Sequence, residues 1–461
     1  MTSSSQPPGL SQLRTYPLLD ALANRRARRF SVGAEIGGGG LRYKSKLPPA
    51  PLSETEEAVL AFAASGISGM VLGDFAHLPA PGDPPTGGNV MAAMTGRMHA
   101  SADSVHSAGV FVINDDGTSF LKRPQDFSVA EIDRIGGLAR AGDFGAIDRL
   151  LRVKVSDQRT EVPREVPYIF PFNKWDTNLP GTTYFLPVSE MSSMYLNVIF
   201  SAFDEANAFF IVDDRNNFQP AGLKKFGKSR GGALNDDPDS GHVLPIQAFE
   251  SLILEFVMAE QAFLAQNLSL MQQAMGLGGW THFASATEHG WFEALGFRLA
   301  RQSVTTKLNA GPIRRLIFRL LGQNKSFPYA LGLNVGGRDL ITPFCPPYYP
   351  TMREAVLAYF DFKMNNITRA RVEPSFHGVW KDAPDVQAMI PQFSEACLEA
   401  SIAYCEYVWG TYGRFPSYYG PLRTTLASQA HHLDLEFYDT FYTPGAYTET
   451  QAQHNELWHT S

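Results

Sequence analysis

Four arginines crowd five positions near the start of the chain: Arg25, Arg26, Arg28 and Arg29, in the stretch NRRARRFSVG at 24–33. Like charges this close repel one another, so the cluster needs water or an anion around it. Planar guanidinium groups meet a phosphate through paired hydrogen bonds that lysine cannot reproduce, which makes a phosphate grip the chemically specific reading. A solvated charge run is the plain alternative. A targeting segment is the third, because residues 1–31 contain Ser and Arg and are poor in acids.

Histidine is the second chemistry-bearing type. His431, His432 and Asp434, with His454 and His459, carry donors that a zinc or iron ion would use if three or four of them converged. Adjacent residues on a helix point about 100° apart, so His431 and His432 are not expected to share an ion. No H-x-x-x-H pair is present. The expectation is therefore no metal site, with these histidines hydrogen-bonded and partly buried. His282 and His289 follow a glycine-rich helix end and are the nearest candidates for moving a proton, against the plainer reading of structural histidines.

The elements that must hold these residues are legible in part. PLSETEEAVLAFAAS begins with Ser53 and has Glu56 three positions on, a capping-box pattern; Ser128 and Glu131 repeat it. AGVFVINDDGTSFL predicts a hairpin and ANAFFIVDD a buried strand. A helix is predicted from about 247 to 275, with Leu252, Ile253, Phe256, Phe263, Leu264, Leu268 and Met271 on its buried face. It stops at MGLGGW, where glycines let backbone approach something closely. Helices and strands interleave without a βαβ rhythm, so the fold class is α+β. Residues 1–15 are expected to be a disordered leader, and 351–461 a helical, aromatic extension.

Composition narrows the partners. A chain of 461 residues with net charge −7 lacks the broad basic face that nucleic acid requires. No apolar run is long enough for a membrane span. Three cysteines, Cys345, Cys397 and Cys405, are too few for a disulfide framework, and a cytoplasmic location is expected.

Three segments in order resemble the nitroreductase family of flavin enzymes, closest to its dehydrogenase-like branch: NRRARRF, PPTGGN and EQAFLAQNLSLMQQAMGLGGW. The resemblance spans about 16–350 with an insertion near 120–200. It implies a central, mostly antiparallel or mixed sheet flanked by helices, and FMN as cofactor. A homodimer, a small organic or peptide-derived substrate and NAD(P)H as electron donor are implied with it. Carried over, Arg25, Arg26 and Arg29 hold the phosphate, with Ala27 where the family has Ser. Asn89 faces the polar edge of the flavin, preceded by Gly87 and Gly88 for close approach. Arg97 and Ser101 line the pocket, and Gly276, Gly278 and Gly279 bring backbone N–H groups to the ring. The alternative is a flavin-fold relative that no longer performs redox chemistry and serves as a binding module.

Overall fold

The computed structural model describes residues 7–71, 80–83, 89–93, 95–284, 288–372, 381–382, 388 and 390–459. Its nucleus is the predicted hairpin: Ala108–Asn114 and Gly117–Leu121 pair antiparallel, with Asn114 opposite Gly117 across a two-residue turn. These strands belong to a seven-stranded sheet. Its order is Gly278–Phe283, Leu426–His431, Thr183–Glu190, Ala108–Asn114, Gly117–Leu121 and Arg152–Ser156, with Leu422–Arg423 also on Thr183–Glu190. Every pairing in it is antiparallel. With the helices packed on it, the architecture is α+β.

Two segments take parts in the sheet that the sequence does not announce. The stretch near 120–200, expected as an insertion, supplies Thr183–Glu190, a strand buried along its whole length. The segment 351–461, expected as a helical extension, supplies Leu426–His431, which fills the gap between Gly278–Phe283 and Thr183–Glu190. Pro8–Thr15, inside the expected leader, is a helix whose Leu10 is buried in the same apolar cluster as Trp458.

Both capping boxes form, at Ser53–Glu56 and Ser128–Glu131. The long helix is Ile246–Met275, and Gly276 at its end takes φ +80°, a left-handed conformation that favours glycine. Its buried stripe runs Glu250, Ile253, Val257, Glu260, Gln261, Leu264 and Leu268. Leu252 and Phe263, predicted to be buried, stay 38% and 48% exposed. The spacing is helical as expected, but buried carboxylates and an amide occupy inward positions that a reading of apolar residues alone assigns elsewhere. Among the described residues, no helix is long and apolar enough to cross a membrane.

One buried lysine has a measurable consequence. Lys363 is fully buried and donates from Nζ to Asn197 Oδ1 at 2.8 Å. Burial pulls its pKa down to about 7, against the opposing pull of Asp103 and Cys397. A folded-state pKa below the unfolded one means that the unfolded chain holds the extra proton between pH 7 and about 10.4, so stability rises with pH there. Thermal unfolding of the wild type should therefore gain about 2–3 kcal/mol from pH 7 to 9 relative to Lys363→Met. Parallel pH dependence of the two proteins would refute this.

Candidate functional site

The arginine cluster divides between solvent and interior. Arg25 and Arg26 lie just beyond the helix Leu18–Asn24 and are exposed. Arg25 Nη1 donates to Ser269 Oγ at 3.4 Å, while Arg26 Nη1 donates to the carbonyls of Ala23 and Arg25 at 3.0 and 2.8 Å. Arg28 is buried and satisfied, donating to Ala446 O, Gln273 Oε1 and Asn24 O. Arg29 pairs with the buried Asp176 at 2.5 Å, donates to Asn173 Oδ1 at 3.0 Å, and lies 3.8 Å above the ring of Trp280. Two of the three arginines expected to hold a phosphate, Arg25 and Arg26, thus present themselves to solvent. Arg29 is already bound to a carboxylate.

An isolated bridge joins this segment to the glycines: Gly279 N donates to Arg28 O at 2.9 Å. Beside it lies a cleft of about 260 Å³ lined by Arg25, Gln266, Ser269, Gly279, Trp280 and Thr281, among others. Gln266 and Ser269 stand three residues apart on one face of the long helix. Gly279, at φ +155°, sits where a Cβ would strike Gln429 O and the Gln272 side chain. Gly276 and Gly278 face the protein as well: Gly276 lies against the backbone of Thr450, and Gly278 against Leu433 and His431.

The remaining predicted residues stand apart from that cleft. Asn89 is buried and spent on the backbone of Met91. Gly87, Gly88 and the His289 side chain lie outside the described residues. Arg97 is buried and donates to Ser65 O and Ala108 O at 3.1 and 2.6 Å. Burial lowers its pKa to about 10, with Glu260 opposing. Ser101 Oγ donates to Glu260 and accepts from His106 N at 2.9 Å. His282 stacks on Trp280 at 4.1 Å, and its Nδ1–H donates to Phe283 O at 2.8 Å. Burial, followed by the nearby Arg29 charge, lowers its pKa to about 4, so at neutral pH its Nε2 has no proton to give.

A second constellation forms where the sequence reading expects only structural histidines. Leu426–His431 is a strand that ends at His431, so the histidine pair parts: His431 Nε2 donates to Arg28 O at 3.1 Å, while His432 turns to Glu56. Asp434 is the N-cap of Leu435–Phe441. Three imidazole Nε2 atoms meet Glu56 Oε1: His454 at 2.8 Å, His432 at 3.1 Å and His459 at 3.5 Å. The Nε2 atoms of His432 and His459 are 3.3 Å apart. Glu56 is fully buried; burial pushes its carboxyl up, yet the three histidines outweigh that and hold it well below the usual carboxylate range. The Glu56 bond raises the pKa of His459, with burial opposing it.

Glu56 is the residue the sequence reading missed, since the capping box already gives it a role. The cap uses only Oε2, which accepts from Ser53 N and Oγ, both at 2.7 Å; Oε1 is left for the histidines. Glu456, three residues before His459, is exposed and outside the cluster.

No protein-family model matches this chain, and no curated protein matches it.

Proposed function

We propose that the chain is an FMN-dependent oxidoreductase of the nitroreductase type, with a nitroreductase-like fold, acting on a small organic or peptide-derived substrate. The observation that carries this reading is the cleft in which the exposed Arg25 meets Ser269 and Gln266 of the long helix, next to Gly279. Its donor set suits a phosphate: a guanidinium, a hydroxyl and an amide. Trp280, which lines the same cleft, has a buried Nε1–H without a partner among the described residues, a donor that a bound polar group would satisfy. Arg25 with Ser269 would hold the phosphate of FMN, and Gln266 and Trp280 its polar edges. The cofactor, when bound, supplies hydride transfer, with NAD(P)H as the electron donor.

At about 260 Å³ the cleft falls short of the roughly 300–1,000 Å³ usual for such ligands, which supports a homodimer whose second copy completes it. Exposed apolar side chains point the same way: Leu18, Leu19 and Leu22 on the N-terminal helix, with Leu252 and Phe263 on the long helix. A cytoplasmic location goes with this reading, in keeping with three buried, free cysteines. One observation favours a second reading, a flavin-fold relative without redox chemistry: Arg28 and Arg29 are consumed inside the protein.

The visible absorption spectrum of the purified protein tests both. A flavin spectrum bleached by NAD(P)H is the expected result, and colour without bleaching selects the second reading. A colourless protein that takes up no added FMN rejects flavin altogether. Arg25→Ala should weaken FMN binding by about 10- to 100-fold, the cost of a charged hydrogen bond of about 1.5–3 kcal/mol. Unchanged affinity would remove Arg25 from the site.

A further inference from the structure

We propose that Glu56, His432, His454 and His459 form a site for one divalent metal ion of the zinc type, which fastens the segment 454–459 to the helix Glu54–Ser65. This inference does not rest on the flavin reading, since its residues lie apart from the Arg25 cleft.

Geometry carries it first. Ligands about 2.0–2.1 Å from a tetrahedral zinc stand about 3.3 Å from one another. Four of the separations here are 2.8, 3.1, 3.5 and 3.3 Å, and all four ligand atoms lie within 4.8 Å of each other. The protein has thus gathered three imidazoles and a carboxylate at the spacing of a coordination shell, from parts of the chain some 400 residues apart.

Protonation chemistry carries it further. His454 Nδ1 lies 2.8 Å from Met275 O, an acceptor, so the proton of the neutral ring is on Nδ1. Its Nε2 then carries a lone pair; it lies 2.8 Å from Glu56 Oε1, out of line for a hydrogen bond, and is buried with no hydrogen-bond partner among the described residues. An unpartnered imidazole nitrogen and a carboxylate oxygen held this close are two ligand atoms for a cation lying beside both. Nor can one carboxylate oxygen, with two lone pairs, serve three imidazole donors while His432 and His459 also face each other. A metal ion resolves all of these contacts at once.

The surroundings are those of a metal centre. The Met275 carbonyl fixes the His454 tautomer, and Ser53 holds the other carboxylate oxygen; such outer partners orient metal ligands. A cavity of about 250 Å³, lined by His432, His454, Gly276 and Gln451 among others, adjoins the cluster, and His459 is partly exposed, so an ion has a way in. Three nitrogens and one oxygen without thiolate suit zinc or cobalt better than magnesium or calcium, which take oxygen. With all four positions filled by protein, the role is structural.

The test uses the full, tag-free chain, stripped with a chelator and titrated with Co²⁺ and Zn²⁺. One equivalent of Co²⁺ should bind with the visible bands of tetrahedral cobalt, Zn²⁺ should displace it, and Zn²⁺ should raise the unfolding midpoint. His454→Ala and the partly exposed His459→Ala should each weaken binding by at least about 100-fold, beyond what an outer-shell partner costs. His242→Ala, at a histidine outside the cluster, should leave it unchanged. His459→Ala guards against misfolding, because its ring is the least buried of the three. A wild-type chain that binds neither ion stoichiometrically would overturn the proposal, leaving the cluster as side chains packed around Glu56. Binding unaffected by both variants would overturn it too.

Discussion

Arg29→Ala should lower stability by about 3–4 kcal/mol near pH 9, the cost of stranding a buried charge without its partner. The carboxyl of Asp176 is fully buried, and Arg29 Nε is its ion-pair partner at 2.5 Å. Burial lifts the Asp176 pKa to about 6, even with the Arg29 hydrogen bond and charge pulling it down. The sign follows from linkage. A carboxyl with a folded-state pKa above its unfolded value of about 3.9 favours the fold when protonated, and that contribution is lost as pH rises through 6. Removing Arg29 deepens the loss at high pH and leaves the acidic side nearly untouched, so the variant's deficit should be small near pH 4 and grow by about 1.4 kcal/mol per pH unit above 6. Urea unfolding midpoints at pH 4 and 9 measure it. Arg29→Ala/Asp176→Asn should recover part of the stability at pH 9. A deficit independent of pH would show that the stack on Trp280, not the ion pair, is what Arg29 contributes. The result also separates Arg29 from a phosphate-binding role, because the loss is expected in protein free of any flavin.

That expectation departs from the sequence reading, and the reason is physical. Arginine type and spacing reveal capacity for an anion but not which anion is nearest. Asp176 lies 147 positions from Arg29, and nothing local to NRRARRF records it. Signals closed within a few residues were readable: the Ser53–Glu56 and Ser128–Glu131 boxes, the Asn114–Gly117 turn, and the Gly276 helix end. Pairings closed over long distances were not. Leu426–His431 looks like part of an aromatic, helical tail, and only the gap beside Thr183–Glu190 makes it a strand. The histidine pair changes meaning with it. Read on a helix, His431 and His432 diverge and neither finds a site. At a strand end they also diverge, but His432 is delivered to Glu56, where His454 and His459, at the two ends of the helix His454–Trp458, already stand. Glu56 itself was hidden by a correct assignment, because one carboxylate has two oxygens and the capping box uses one.

Glu260→Ala is expected to have the second large effect, a loss of about 3–5 kcal/mol, because several buried donors would lose their acceptor together. Glu260 lies in the middle of the long helix, almost fully buried. Its carboxylate accepts from the hydroxyls of Ser101 and Ser107, from Ser107 N at 3.3 Å and from Ala108 N at 3.1 Å. It also faces the charge of Arg97, whose guanidinium crosses to Ser65 O and Ala108 O. One side chain therefore ties the start of the hairpin strand, the end of the helix Glu54–Ser65 and the long helix into a single polar knot. Arg97 and Ser101, the residues that the family likeness places at a flavin, are held in that knot. Burial raises the Glu260 pKa, and the hydrogen bonds from Ser101 and Ser107 together with the Arg97 charge oppose it. Glu260→Gln keeps the shape and one acceptor oxygen, but its amide would aim N–H groups at donors, so it should recover less than half of the loss. Urea unfolding of the three proteins, with the Glu250→Gln change as a comparison on the same helix, measures this. Glu250 accepts from Ser417 N and Oγ and from Tyr418 N, one hydrogen bond fewer than Glu260, and it too faces an arginine charge, that of Arg215, so its amide variant should be the milder of the two by that one bond. Equal losses for Glu260→Gln and Glu250→Gln would mean that the fourth hydrogen bond adds nothing to the knot.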